Sequence, residues 1–513
     1  MKLRFVFSLF VAFQFFGSAN AQVSEQDQKY WQWMQSNLIA QERLLNYHRT
    51  MVAADTLITH VNILMLPDSE ILEDAALFIQ DGKIVWIGAT SDAPVVSDVQ
   101  TIDAEGGFLV PGLMDMHVHT MNDADYLLQL SMGITTIREM NGFKWLLNRQ
   151  QAVDNNELFA PNMFVVSQIF NSNDLNGFAI PVTTPEEAVT EVRRAAREGY
   201  GAIKIHNGLA LDVFQAIAAE AQRVGLPLVG HIPVSATVEE AIGAGMRTSE
   251  HLKGYIIDNT LQISEEDWVT ASIDTEMYIA PTFSTYRQKL RGNDSLELFY
   301  AQSHLVPPYR RLLWMAVASQ EVTEKTILRQ AAFSKQEEIF KKLLPLNLRW
   351  LAGTDAGDYD QLVPGLSLIE ELEIMEGFGL SPLETLKAAT TNAADAMDWQ
   401  ERTGRIAVGL QADLILLDEN PLETVSNLRS LRSVMLRGIW IDDPVALRIT
   451  TEDYIGTTYD YSGPILEDAV ERAEGIMNEG YVLSDRDLGA WAYFMRKAGR
   501  EDLSDRLGEM RQD

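Results

Sequence analysis

Six residues in this chain stand at or near the ends of apolar runs, and all six can hold a metal ion: His117, His119, Lys204, His231, His251 and Asp355. His117 and His119 close the stretch FLVPGLMDMHVHT. Side chains two positions apart on a strand point to the same side, so both imidazoles can reach one ion where the strand ends. Lys204 lies in GYGAIKIHNG, His231 ends LPLVGH, His251 ends MRTSEH, and Asp355 follows LRWLAGT. Taken singly each has a bland reading: a structural histidine, a surface lysine, an aspartate that caps a helix. Taken together the bland readings need a separate coincidence for each residue, which favours a metal centre.

The chemistry of such a set follows from its donors. A lysine ammonium repels cations, but carboxylated by carbon dioxide Lys204 becomes a carbamate whose two oxygens can bridge two ions. One ion would rest on His117 and His119, the other on His231 and His251, with Asp355 completing the first and touching a bridging water. Two divalent ions acidify that water, so that a metal-bridged hydroxide forms near neutral pH, and they polarise the carbonyl under attack. Asp355 is then the catalytic candidate, taking the proton and passing it to the leaving group.

Four further residues are candidate substrate contacts. His206 and Asn207 follow Lys204 closely, with an ordinary loop role as the alternative. Tyr286 and Arg287 follow the seventh apolar run, as carboxylate or carbonyl contacts or as a solvated pair. Glu250 and Arg138 either orient ligands or form a buried salt bridge. His48, His60 and His304 fall away from the run ends and read as structural or surface residues.

The runs that must position this set are FLVPGLMDM, ITTI (134–137), MFVV (163–166), AIKI (202–205), LPLVG (226–230), MRTSEH (246–251), YIAPTF (278–283) and LRWLAG (348–353). They alternate with amphipathic stretches such as Glu186–Glu198 and Leu211–Val224. Eight strand-helix units over residues 108–399 predict an α/β fold, a (β/α)8 TIM barrel with its active site at the C-terminal ends of the strands. The sixth run is short and partly polar. The connection between the seventh and eighth runs, roughly sixty residues with Pro307-Pro308 inside it, is long enough to cover the site and set substrate choice.

Around the barrel the pattern changes. Residues 55–107 carry THVNILML, AALFIQ and KIVWIG, with a turn at Pro67-Asp68 and an Asp81-Gly82 hairpin signal. Residues 400–445 carry ADLILLD and RSVMLRGIWI, which predicts a small β-sandwich domain built from segments before and after the barrel. Residues 22–54, with Trp31, Met34, Leu38 and Leu45 at helical spacing, predict an N-terminal helical arm. Residues 446–513 are assigned to a C-terminal helical appendage, charged and helical in pattern from 464 onward.

Residues 1–21 have a basic start (Lys2, Arg4), an apolar core from Phe5 to Phe16 and the small-residue pattern Ala19-Asn20-Ala21. This reads as a signal peptide cut before Gln22, too short to span a bilayer, and places the mature protein outside the cell or in a periplasm with no membrane insertion. A length of 513 residues leads one to expect two or three domains. The balance of 41 Lys+Arg against 73 Asp+Glu, a net charge of −32, argues against nucleic acid or an anionic membrane as partner. With no cysteine there are no disulfides and no thiolate ligands, so a metal must rest on His, Asp, Glu or modified Lys.

These residues are also where the chain resembles a known family. PGLMDMHVHT, GITTIREM, the Lys204 strand, Gly230-His231, Glu250-His251, GTDAG (353–357) and AATTNAADAM with GRIAVGLQADLILLD resemble the amidohydrolase superfamily, in its imidazolonepropionase-like and Xaa-Pro dipeptidase-like branch. The resemblance runs from about Asp55 to Asp442, and Glu139 departs from it where an Asp is usual after the arginine. It implies a metal-dependent barrel with a split sheet domain, a carboxylated lysine and two divalent ions, commonly Zn2+. It implies hydrolysis of carbon-nitrogen bonds, with dipeptides and N-acyl amino acids as the favoured small-molecule substrates. A lactonase or cyclic amidase on the same site, and a binding homologue without turnover, are the alternatives. The metal's identity and any homo-oligomer stay open.

Overall fold

The computed structural model describes residues 25–255, 275–288, 324–357, 362–449, 463–478 and 485–511, with a few isolated residues between them. The signal-peptide stretch, His304, Pro308 and residues 289–301 and 315–323 of the long connection lie outside the described residues. The chain divides into two compact units, Arg43–Arg291 with Val322–Ile449, and Met1–Glu42 with Gly292–Glu321 and Thr450–Asp513.

The larger unit begins with strands β1 (Thr56–Met65), β2 (Glu70–Gln80), β3 (Lys83–Ala89), β4 (Gln100–Asp103) and β5 (Phe108–Pro111). β2 and β3 form an antiparallel hairpin through Asp81 and Gly82, whose φ angles of +49° and +73° are what a two-residue turn of this hand demands. The apolar run FLVPGLMDM is not one strand, which corrects the expectation that the whole run opens the parallel set. Phe108–Pro111 pairs with β1, and only Leu113–Val118, β6, begins the parallel set. The break falls at Gly112, where an added Cβ would meet Thr135 Oγ1 at 2.2 Å.

From β6 to β15 every strand pairs in parallel. β6, β7 (Ile134–Gly142) and β8 (Asn162–Ser167) form one ladder. β9 (Ile169–Asn171), β10 (Ala179–Pro181), β11 (Ile203–Ile205), β12 (Leu228–Gly230), β13 (Met246–Glu250), β14 (Tyr278–Ala280) and β15 (Arg349–Trp350) form another, in the order β10-β9-β11-β12-β13-β14-β15. Main-chain bonds reach across both gaps: Gly201 N–H to Val165 O and Ser167 N–H to Ala202 O on one side, Met116 N–H to Ala352 O and Asp355 N–H to His117 O on the other. The fold is therefore α/β with parallel strands.

The connecting helices are started and stopped by local chemistry. Pro185–Glu198 opens on a capping box, with Thr184 accepting from Glu187 N–H and Glu187 returning to Thr184 N–H, and it ends at Gly199 in the left-handed region. It buries Ala188, Val192 and Ala195. Leu211–Val224 ends the same way at Gly225. Two features are not legible in the runs: the strands β9 and β10, and a helix, Phe283–Gln288, that begins on the last residue of the run YIAPTF.

After the parallel strands come β16 (Leu414–Leu417), β17 (Leu431–Leu436) and β18 (Ile439–Ile441). They complete a sheet of order β18-β17-β16-β5-β1-β2-β3, with β4 beside β1. Where two stacked sheets are expected, the hydrogen bonds draw one eight-stranded sheet. Its two halves share a core that includes Val61, Leu77, Leu414 and Met435.

In the smaller unit, Gly463–Asn478, Asp485–Lys497 and Glu501–Glu509 are helices, as is the described part of residues 25–42. Asn37 and Gln41 donate to the buried Asp487, and Arg472 pairs with Glu42. Among the described residues no helix is long and apolar enough to cross a membrane.

Candidate metal centre

All six candidate ligands lie at or just beyond the C-terminal ends of parallel strands. His117 is the next-to-last residue of β6 with His119 just past its end, Lys204 is in β11, His231 follows β12, His251 follows β13, and Asp355 lies beyond β15. The rings form a chain of near neighbours. Centroids are 5.2 Å apart for His119 and His117, 4.7 Å for His117 and His251, 4.7 Å for His251 and His231, and 4.2 Å for His231 and His206. Asp355 Oδ1 lies 3.2 Å from His119 Nε2 and 3.4 Å from His117 Nε2. Donor atoms of His117, His251 and Asp355 all fall within 4.8 Å of one another. His251, paired with His231 in the sequence reading, thus stands equally close to His117.

Each buried ring is held by its Nδ1. His117 Nδ1 donates to Glu250 Oε2 at 2.9 Å, His231 Nδ1 donates to Asn207 Oδ1 at 2.8 Å, and His251 Nδ1 meets Thr282 Oγ1 at 2.5 Å. With Nδ1 engaged, Nε2 is the nitrogen left to bind an ion. Glu250 is itself fixed by Arg138 Nη2 at 2.8 Å, and Arg138 Nε donates to Met116 O at 2.6 Å. Asp115 ties two strand ends together, accepting from His117 N–H, Thr354 N–H and the Thr354 hydroxyl. The backbone is strained at this place: His251, Leu252, Thr282 and Asp355 have φ of +61°, +55°, +52° and +63°. Left-handed non-glycine residues cost of order 1 kcal/mol each and gather where geometry serves function.

The amidohydrolase family pattern matches residues 108–441, well over half of the chain. The chain belongs to the amidohydrolase family. It is a hydrolase of carbon-nitrogen bonds in amides or peptides. Ochratoxinase of Aspergillus niger is 24% identical over 451 residues, 74% of this chain and 85% of its own. Imidazolonepropionase of Psychrobacter cryohalolentis is 24% identical over 413 residues, 72% of this chain and 89% of its own. The solved structure of a putative prolidase from Bifidobacterium longum aligns with a TM-score of 0.65 at 21% identity, over 82% of this chain and 99% of that one, a likeness of fold.

Electrostatics in this amidohydrolase suit a cation. Burial, helped by the Lys204 charge, holds His117 and His231 well below the ordinary imidazole range. Burial also pushes His251 down to about 3 and His206 to about 4. These imidazoles are therefore neutral at pH 7, with lone pairs to give. Burial alone would raise Asp355, but His251, His119 and His117 around it hold its carboxyl well below the usual range. Lys204 is buried, its pKa brought down to about 8 by that burial against the pull of Glu250, and its Nζ has no hydrogen-bond partner among the described residues. Neutral imidazoles, a carboxylate and an orphaned amine that carbon dioxide would convert to a carbamate fit a divalent cation.

The remaining candidates fall differently. Asn207 holds the His231 ring, and His206 stacks against that ring. The Tyr286 ring stands 6.3 Å from that of His251, beside the site. Arg287 is paired with Glu370 at 3.0 Å. On the other sheet His60 pairs with Asp103 at 3.3 Å. Sequence reasoning missed Asp115, Thr282, Thr354 and Glu371. Asp115 had a signal, standing two residues before His117 in a buried strand. Thr354 stands beside Asp355 within GTDAG, and Thr282 and Glu371 had no signal, because their contacts join distant positions.

Proposed function

We propose that this amidohydrolase is an exported metal-dependent enzyme that cleaves the amide bonds of dipeptides or N-acyl amino acids. The parallel strands are read as a (β/α)8 barrel, supported by the main-chain bonds that lead from Met116 and His117 to the segment after β15. The observation that carries the reading is Lys204: a buried amine with no hydrogen-bond partner among the described residues, set among neutral imidazoles and one carboxylate. With its pKa near 8, about a tenth of such an amine is neutral at pH 7, against well under about a thousandth for an ordinary lysine. The neutral amine can add to carbon dioxide and lose one proton, leaving a carbamate where a cation needs anionic oxygen.

His117, His119 and Asp355 would hold one ion, His231 and His251 another, with carboxylated Lys204 between them and His251 near both. Bound there, divalent ions, by resemblance Zn2+, would acidify water and polarise the substrate carbonyl. Asp355, ionised and within 3.2–3.4 Å of two imidazole nitrogens, is placed to accept a proton and return it to the departing nitrogen. Glu250 and Asn207 keep the His117 and His231 rings turned to the centre, and Tyr286 is a substrate contact beside His251.

The test is amine release from a panel of dipeptides and N-acyl amino acids by zinc-loaded protein, with Asp355→Asn as control. Turnover that is lost in the control and on chelation supports the reading. No release from any member, with two metals bound, moves it to lactones or cyclic amides.

A further inference from the structure

The short helix Phe283–Gln288 follows β14 and carries Tyr286 to the site. Its first N–H groups need acceptors, and the Thr282 hydroxyl before it is turned to His251 Nδ1. Glu371, on the helix Leu366–Gly377, supplies them: Oε1 accepts from Phe283 N–H at 2.9 Å and Oε2 from Ser284 N–H at 2.6 Å. This carboxylate is 0% exposed. The neighbouring cation, Arg287, is engaged by Glu370. Burying a carboxyl among neutral donors is a costly way to cap a helix that a local Ser or Asp would cap in water.

What the arrangement secures is the segment on either side. Thr282 sits in the left-handed region at φ +52°, with its hydroxyl 2.5 Å from the His251 ring. The Ser284 hydroxyl reaches Thr354 O at 3.4 Å, one residue before Asp355. Phe283 is wedged edge-on to Phe340 and Phe378, with ring centroids at 5.1 and 5.0 Å. We propose that Glu371 is a positioning residue: by clamping the backbone at Phe283 and Ser284 it holds Thr282 against the His251 ring and Tyr286 beside it. The inference rests on the metal-centre reading of His251.

The experiment is cobalt titration of metal-free protein, followed by its visible absorption, together with KM and kcat on the best amide from the panel. Wild type, Glu371→Gln, Thr282→Val, Thr282→Ser and the Glu371→Gln/Thr282→Val double variant are compared. Expected are cobalt affinity at one of two sites lowered about tenfold in Glu371→Gln and in Thr282→Val, an altered cobalt spectrum, and recovery in Thr282→Ser. KM rises in Glu371→Gln, and the double variant is no worse than the worse single one, because both act through one contact. Glu371→Gln with wild-type cobalt binding, spectrum and KM, and only a lower melting temperature, would reduce Glu371 to a structural cap and overturn the proposal. Should Glu371→Gln not fold, wild-type cobalt affinity and spectrum in Thr282→Val overturn it equally. Wild type that takes up no cobalt would sink the metal reading itself; wild type that binds two while the variants match it sinks this inference alone.

Discussion

His117 Nδ1 and Glu250 Oε2 lie 2.9 Å apart, with both side chains shut off from solvent. The pair decides which nitrogen of His117 faces Asp355, and Arg138 in turn decides where Glu250 points. Glu250→Gln keeps the shape but leaves the Arg138 guanidinium buried beside a neutral partner. Removing one member of a buried ion pair costs about 3–5 kcal/mol, and loss of a ligand's outer partner costs about 10–100-fold in metal affinity. Thermal melting of the metal-free variant and zinc affinity by competition should both fall. Unchanged affinity with lowered melting would leave Glu250 a purely structural residue.

Lys204 offers a sharper test, because its proposed role depends on a gas. Protein stripped of metal and of carbon dioxide should regain activity with zinc only when bicarbonate is supplied. Lys204→Met should be inactive, by more than about 10²-fold, while Lys204→Glu should retain part of the metal binding through its own carboxylate. Burial brings the amine down to about 8, so reactivation should speed up as pH rises from 6 toward 8 and level off above it. An ordinary lysine would keep accelerating toward its usual pKa of about 10.4. Full reactivation without bicarbonate would dispose of the carbamate.

A helix start remote from this chemistry supplies the control. Thr184 accepts from Glu187 N–H at 3.2 Å at the head of Pro185–Glu198. Thr184→Ala should cost about 1 kcal/mol of stability and leave KM, kcat and zinc affinity at wild-type values. Loss of activity at unchanged metal content would show that this helix bears on the site.

The site was legible in the sequence to the extent that it uses scarce residue types at strand ends. His117, His119, His231, His251, Lys204 and Asp355 could be picked out because each ends or follows an apolar run. Thr282 could not, being a common residue whose contact with His251 spans 31 positions and depends on a left-handed kink. The strand β13 is short and partly polar in sequence, yet Thr248 and Glu250 are buried there and bonded to Arg138. FLVPGLMDM read as one strand because both halves are buried, though they serve different sheets. The strands β9 and β10 are too short to leave any period.

Glu371 carries a pH dependence of definite sign. Burial raises its pKa from 4.5 to about 7, so the folded chain holds a proton that the unfolded chain gives up between those values. Its contribution to stability is therefore full below pH 4.5 and is lost as pH rises through about 7. The span of 7 − 4.5 = 2.5 pH units corresponds to at most about 3 kcal/mol. Gln cannot titrate, so the melting temperature of Glu371→Gln relative to wild type should rise as the pH is taken from 4.5 to 7.5. Melting curves of the two metal-free proteins across that range check it. A gap that stays constant, or moves the other way, would mean that the carboxyl is already ionised in the folded protein at pH 5.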